Sequence, residues 1–181
     1  MGNKKNYGLP YMGSKSKIVD FIARNIPSCE VFVDLFCGGG SVTHYMIENG
    51  RYSRYICNDK NTLVVDFLKN VLEGRYSNER EFITREEFLK RKNADGYIRY
   101  VWSFGNRGTS YLYSGKMEDY KRCLHNAIFN DSFSELLDKY SIDLSELSSL
   151  SKDDIHARVN MTRKIMKRMS EENFNGIWTD R

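Results

Sequence analysis

Proline is almost missing from this chain. Of 181 residues only Pro10 and Pro27 are proline, so no proline-fixed turn and no Pro-Pro pair exists beyond residue 27. Cysteine is sparse and scattered: Cys29, Cys37, Cys57 and Cys123 stand 8, 20 and 66 residues apart. That spacing excludes a C-x-x-C redox or zinc pair and fits reduced thiols in a cytosol. His44, His125 and His156 are isolated from one another, so no metal site is expected. No apolar run approaches the ~20 residues needed to span a bilayer. Asn3-Lys4-Lys5 leads into no hydrophobic stretch of a signal peptide, and Asn6 stands where a myristoylation signal needs Ser or Thr. Excess charge is small: a net +4 permits nucleic-acid binding without requiring it. With 40% apolar and 29% charged residues, the chain reads as one well-solvated, helix-rich domain with room for a core and an insertion.

What the chain does have lies between Val31 and Asn61. Val31, Phe32, Val33, Leu35 and Phe36 are β-branched, aromatic or aliphatic and suit a buried parallel strand. Asp34 sits inside that run, and Gly38, Gly39 and Gly40 follow it, allowing backbone to pass close to a ligand. Ser41 is placed to cap a helix whose apolar stripe is Val42, Tyr45 and Met46 and which stops at Gly50. Tyr55-Ile56-Cys57 forms the second strand and delivers Asp59 twenty-five residues after Asp34, near the ~20-residue offset at which an acid holds ribose hydroxyls. The pattern predicts a βαβ nucleotide pocket. A dinucleotide fingerprint needs a third Gly at position 43, where this chain has Thr43, so NAD is disfavoured. Asp34 would repel a phosphate but pair with an ammonium group, and S-adenosylmethionine carries one.

Three stretches resemble, in order, the motifs of the Dam-type (D12 class) adenine-specific DNA N6-methyltransferases. Tyr11-Met12-Gly13-Ser14-Lys15 is similar to that family's Y-x-G-G-K element, with Ser14 in place of the second Gly. Asp34-Leu35-Phe36-Cys37-Gly38-Gly39-Gly40 is similar to its D-x-F-x-G-x-G loop, and Asn58-Asp59-Lys60-Asn61 to its N-D-x-N turn. A weaker likeness to phage-type members runs from Trp102 to Gly108. The resemblance implies an α/β, Rossmann-like class I methyltransferase sheet with a mainly helical insertion. It implies S-adenosyl-L-methionine as cofactor and double-stranded DNA as partner, in the cytoplasm of a bacterial or phage-infected cell, as in restriction-modification. Tyr11 and Lys15 would line the methionine end, Gly38 and Gly40 would let the cofactor lie against the loop, and Asp59 would accept the ribose hydroxyls. Asp34 and Phe36 complete the implied set.

The family's catalytic D-P-P-Y element has no counterpart, because both prolines precede the first strand. Adenine's exocyclic amine is a poor nucleophile, and an acid, a carbonyl and a stacking ring must hold the flipped base. Phe129-Asn130-Asp131-Ser132 and Trp178-Thr179-Asp180-Arg181 each place an aromatic near an acid, but no proline fixes either turn. No catalytic residue is therefore assigned. The expectation is the front part of a truncated or split enzyme, inactive alone, with a second chain as one source of the catalytic half. The rival is a non-catalytic DNA- or cofactor-binding remnant or inhibitor module.

The remaining pattern divides into a cofactor-binding region over residues 1–74 and a recognition insertion with a helical tail over 75–181. Helices are expected over 15–25 (Ile18, Ile22 and Ile26 on one face), over 63–72 against the sheet and ended by Gly74, and through Glu86, Phe88 and Leu89. Further helices are expected over 116–128 and 156–169, with an aromatic strand over 98–104 and a short helix or linker over 141–154. Two segments could meet DNA. Asn106 and Arg107 stand among Trp102, Phe104, Tyr111 and Tyr113, which alternatively form a hydrophobic hairpin. Arg163 with Lys167, and Lys164 with Arg168, stack at i,i+4, a pattern shared with ordinary solvated faces.

Overall fold

The computed structural model describes residues 5–179. It is a mixed α/β protein, mostly helical, with one small parallel sheet. Two compact units divide between Leu112 and Tyr113.

In the first unit, α1 (Val19–Arg24), β1 (Val31–Asp34), α2 (Ser41–Glu48) and β2 (Arg54–Cys57) build the predicted βαβ. The strands run parallel, with Val31 opposite Arg54 and Asp34 opposite Cys57. Alternation puts Phe32 and its partner Tyr55 on the face covered by helices, where Ala23, Met46 and Tyr52 close a small core. Val33 and Ile56 point to the other face and remain 47% and 38% exposed. Helix α1 is shorter than the spacing predicts: its buried residues are Val19 and Ala23, while Ile18 is exposed.

Helix α3 (Thr62–Leu72) does not cover that open face as expected. It packs on α5 (Gly96–Val101) through Val64, Phe67 and Tyr100. The contact is close because Gly96 has no side chain: a Cβ there would lie 2.1 Å from the Leu63 carbonyl oxygen. This packing carries the first unit past Gly74. Helix α4 (Arg85–Arg91) forms as predicted, behind a Thr84/Glu87 capping box. The strand expected over 98–104 is instead α5, because the Asp95 side chain accepts from the Ile98 amide and starts a helix. Only an isolated Ser103–Tyr111 bridge remains of the hairpin, around a 3-10 turn over Phe104–Asn106.

The second unit is helical: α6 (Gly115–Asn130), α7 (Ser134–Tyr140), a 3-10 turn over Ser145–Ser149, and α8 (Ile155–Thr179). Helix α7 has no forecast in the sequence pattern. Cys123, Ala127, Ile128, Leu136, Leu144, Leu147 and Ile165 form its core. Arg158 is wholly buried, where it donates to the carbonyls of Ala127, Ile128, Leu147 and Leu150 and pairs with Asp131. The guanidinium thus satisfies carbonyls at the α6 C-terminus and ties three segments together. No helix among the described residues is long and apolar enough to cross a membrane.

Candidate cofactor and nucleic-acid site

The loop between β1 and α2 is held by the turn after β2. Cys37 N–H donates to Asn58 O (2.9 Å), Asn58 N–H to Asp34 O (2.8 Å), and the Asn58 side-chain amide to Leu35 O (2.9 Å). Asp59 closes the lattice: one carboxylate oxygen accepts from the Gly38 amide (2.8 Å), the other from the Asn61 amide (2.9 Å). A carboxylate has about four acceptor positions, so capacity for two hydroxyl donors remains. Gly38 and Gly40 take left-handed backbone at φ 48° and 72°.

Gly40, not Ser41, occupies the cap position of α2. Ser41 lies inside the helix, and its hydroxyl accepts instead from the Lys15 amide (3.0 Å). This bond fastens the amino-terminal arm to the glycine loop. Leu9 N–H donates to Gly39 O (2.7 Å) and Gly8 N–H to His44 Nδ1 (3.0 Å). The Tyr11 ring lies against the loop so closely that a Cβ on Gly38 would stand 3.1 Å from it. Tyr11 also meets Tyr100 edge-on, centroids 5.0 Å apart, and the Tyr100 hydroxyl accepts from the Asn61 side chain (2.6 Å). Three motifs well separated in sequence are therefore one structural unit. Lys15 is exposed, its ammonium donating to Gly13 O (2.9 Å). Phe36 stands at the loop's start with 85% of its surface exposed.

The Cys37 thiol is pushed up to about 12, first by burial and then by Cys57, Asp34 and Asp59. The two carboxylates favour a cation over a phosphate.

The nucleic-acid candidates separate by burial. Trp102 and Tyr111 are buried and Tyr113 is half-buried, while Phe104 is 66% exposed and Arg107 is exposed beside it. Asn106 braces the turn: its side chain donates to Tyr100 O (2.8 Å) and its carbonyl accepts from Met12 N–H (3.3 Å). In the second unit, Arg163, Lys164 and Lys167 are exposed on α8, with Arg163 donating to Asn160 (3.3 Å) and Lys167 3.5 Å from Glu171. Arg168 pairs with Glu146 at 2.8 Å. Asp131 is the counter-ion of Arg158 and Lys152, and Asp180 lies outside the described residues. Asp119, Cys123 and Glu135 offer ligand atoms within 4.8 Å of one another, but Arg122 and Lys139 already bridge both carboxylates.

The residues sequence reasoning passed over are those that join the motifs: Tyr100, His44 and Asn61 as a side-chain donor. Only Asn61 carried a signal, by lying within N-D-K-N. Residues 11–143 match the family model of the D12 class N6 adenine-specific DNA methyltransferases. The chain belongs to this family. No curated protein and no solved structure matches it. The D12 match begins at Tyr11, the residue that seals the glycine loop, and extends into the second unit.

Proposed function

We propose that this D12-class chain binds S-adenosylmethionine in the cradle formed by Tyr11, Lys15, Asp34, Phe36, Gly38, Gly40 and Asp59, and that it serves methylation of adenine N6 in DNA. The observation that carries the reading is the Asp59 carboxylate bonded to the Gly38 amide at 2.8 Å, which sets a ribose acceptor against a side-chain-free loop. The donor set fits the cofactor chemically. Asp34 and Asp59 give a negative setting for a molecule bearing ammonium and sulfonium groups, and the open Phe36 ring offers a stacking surface. On this reading β1, α2 and β2 are the start of a Rossmann-like methyltransferase sheet, and the uncovered Val33 and Ile56 face is where further elements pack.

The cofactor supplies the methyl group. This chain holds the cofactor's ribose and amino-acid ends and keeps backbone close to it. Arg107, and the basic side chains Arg163 and Lys167, meet DNA phosphates, with Asn106 fixing the shape of the turn that presents Arg107. Adenine's amine must give up a proton as it attacks, and no acid-Pro-Pro-aromatic turn occurs among these 181 residues to hold its N–H groups. On this reading the catalytic turn is supplied by other residues, and the reaction takes place in the cytoplasm, where DNA is accessible.

The test is calorimetric titration with S-adenosylmethionine, followed by incubation with radiolabelled cofactor and adenine-containing duplexes, with and without a fragment carrying a D-P-P-Y turn. Cofactor binding, no methyl incorporation by these residues alone, and incorporation on complementation are expected. Binding without incorporation under either condition favours the non-catalytic remnant. Methylation by the 181 residues alone would refute the claim of a missing group.

A further inference from the structure

We infer that Thr43 is a positioning residue that orients Asp34 and thereby sets the site's preference for a ligand bearing an ammonium group. This rests on the proposed pairing of Asp34 with the methionine ammonium. Thr43 is the third residue of α2 and is buried. Its hydroxyl has a single proton, donated to Asp34 Oδ2 at 2.8 Å, and its oxygen accepts from the Cys57 thiol at 3.3 Å. The hydroxyl is thus oriented from both sides, by the strand that carries Cys57 and the strand that carries Asp34.

The consequence falls on the other carboxylate oxygen. With Oδ2 tied to α2, the carboxylate cannot turn freely, and Oδ1 has no hydrogen bond among the described residues. An acceptor already held at the end of β1 loses little side-chain freedom when a cation arrives, which is the source of its affinity advantage. A glycine at position 43 would leave Asp34 unanchored. The threonine hydroxyl instead fixes the acid. Serine would keep the bond, whereas valine would keep the shape and lose it.

The experiment titrates the full chain, wild type, Thr43→Val and Thr43→Ser, with three probes: S-adenosylmethionine, its demethylated product, and 5′-deoxy-5′-methylthioadenosine, which keeps the nucleoside but lacks the amino-acid end. A hydrogen bond to a charged group is at stake, so Thr43→Val should bind the first two about tenfold more weakly and the third within about twofold of wild type. Thr43→Ser should restore most of the loss. Unchanged S-adenosylmethionine affinity in Thr43→Val would overturn the positioning role and leave the cradle standing. An equal loss for all three probes would also overturn it, since a merely structural role predicts that. Wild type that binds none of the probes would overturn the cofactor reading and the Thr43 role together.

Discussion

Replacing Asp59 with alanine removes a carboxylate with two separable duties. In the ligand-free protein it accepts from the Gly38 and Asn61 amides at 2.8 and 2.9 Å, so its loss leaves two donors at a half-buried turn to find water. That should lower stability by about 1–2 kcal/mol, less than the full penalty for a buried orphan because solvent can reach the turn. In the complex the same carboxylate is the proposed acceptor of the ribose hydroxyls. Losing a charged acceptor there costs about 1.5–3 kcal/mol, or about 10- to 150-fold in affinity. The Asp59→Asn variant keeps one carbonyl oxygen but turns an NH2 toward a backbone N–H, so it can satisfy only one of the two amides and should fall between wild type and alanine. Calorimetric titration at one fixed ionic strength gives the affinities, and thermal melts of the same samples give the stability change. Equal affinities for wild type and Asp59→Ala would refute the assignment. An affinity loss no larger than the stability loss predicts would reduce Asp59 to a structural brace.

Gly96→Ala should destabilise the first unit by about 1–3 kcal/mol, because the new Cβ would meet the Leu63 backbone oxygen at 2.1 Å and Phe67 Cβ at 2.9 Å. A denaturant midpoint equal to wild type would contradict the close packing of α3 on α5. Asp131→Asn leaves the buried Arg158 guanidinium without its counter-charge and should lower the melting temperature of the second unit, and Arg158→Met should lower it further because four carbonyls then lose their donor. An Asp131→Asn melt equal to wild type would argue against the charge effect. Glu135 is held at about 2, against an ordinary 4.5, by Arg122 first and then Lys139, and Asp119 is lowered by Arg122, Lys139 and Tyr140. A lowered carboxylate contributes stability above its unfolded value and loses it as pH falls through the folded one, so melts should weaken from about pH 4.5 toward 2. Glu135→Gln should flatten that decline, and an unaltered pH profile in this variant would sink the account. DNA binding should weaken with rising salt, less steeply in Arg107→Ala because one phosphate contact fewer releases counterions; identical salt slopes would remove Arg107 from the interface.

Elements whose signals are local were legible from the chain alone. β1, α2, β2 and the left-handed Gly50 follow from β-branched runs, the apolar stripe of Val42, Tyr45 and Met46, and a glycine stop, all settled within a few residues of chain. Helix α4 was likewise legible from its own composition. The candidate cofactor residues could be named because glycines and acids at fixed spacing have few other uses. How those residues meet depends on contacts between segments far apart in sequence. Ser41 reads as a cap in the sequence, but Gly40 already starts the helix in left-handed backbone, which frees the hydroxyl for the Lys15 amide twenty-six residues away. Residues 98–104 look like an aromatic strand until the Asp95 cap and the fit of Gly96 against α3 make helix the better burial for Ile98 and Tyr100. Arg158 shows the same limit most plainly. In sequence it is one more cation on a basic helix, and it becomes the buried centre of the second unit only because four carbonyls and Asp131, from two other stretches of the chain, converge on one guanidinium.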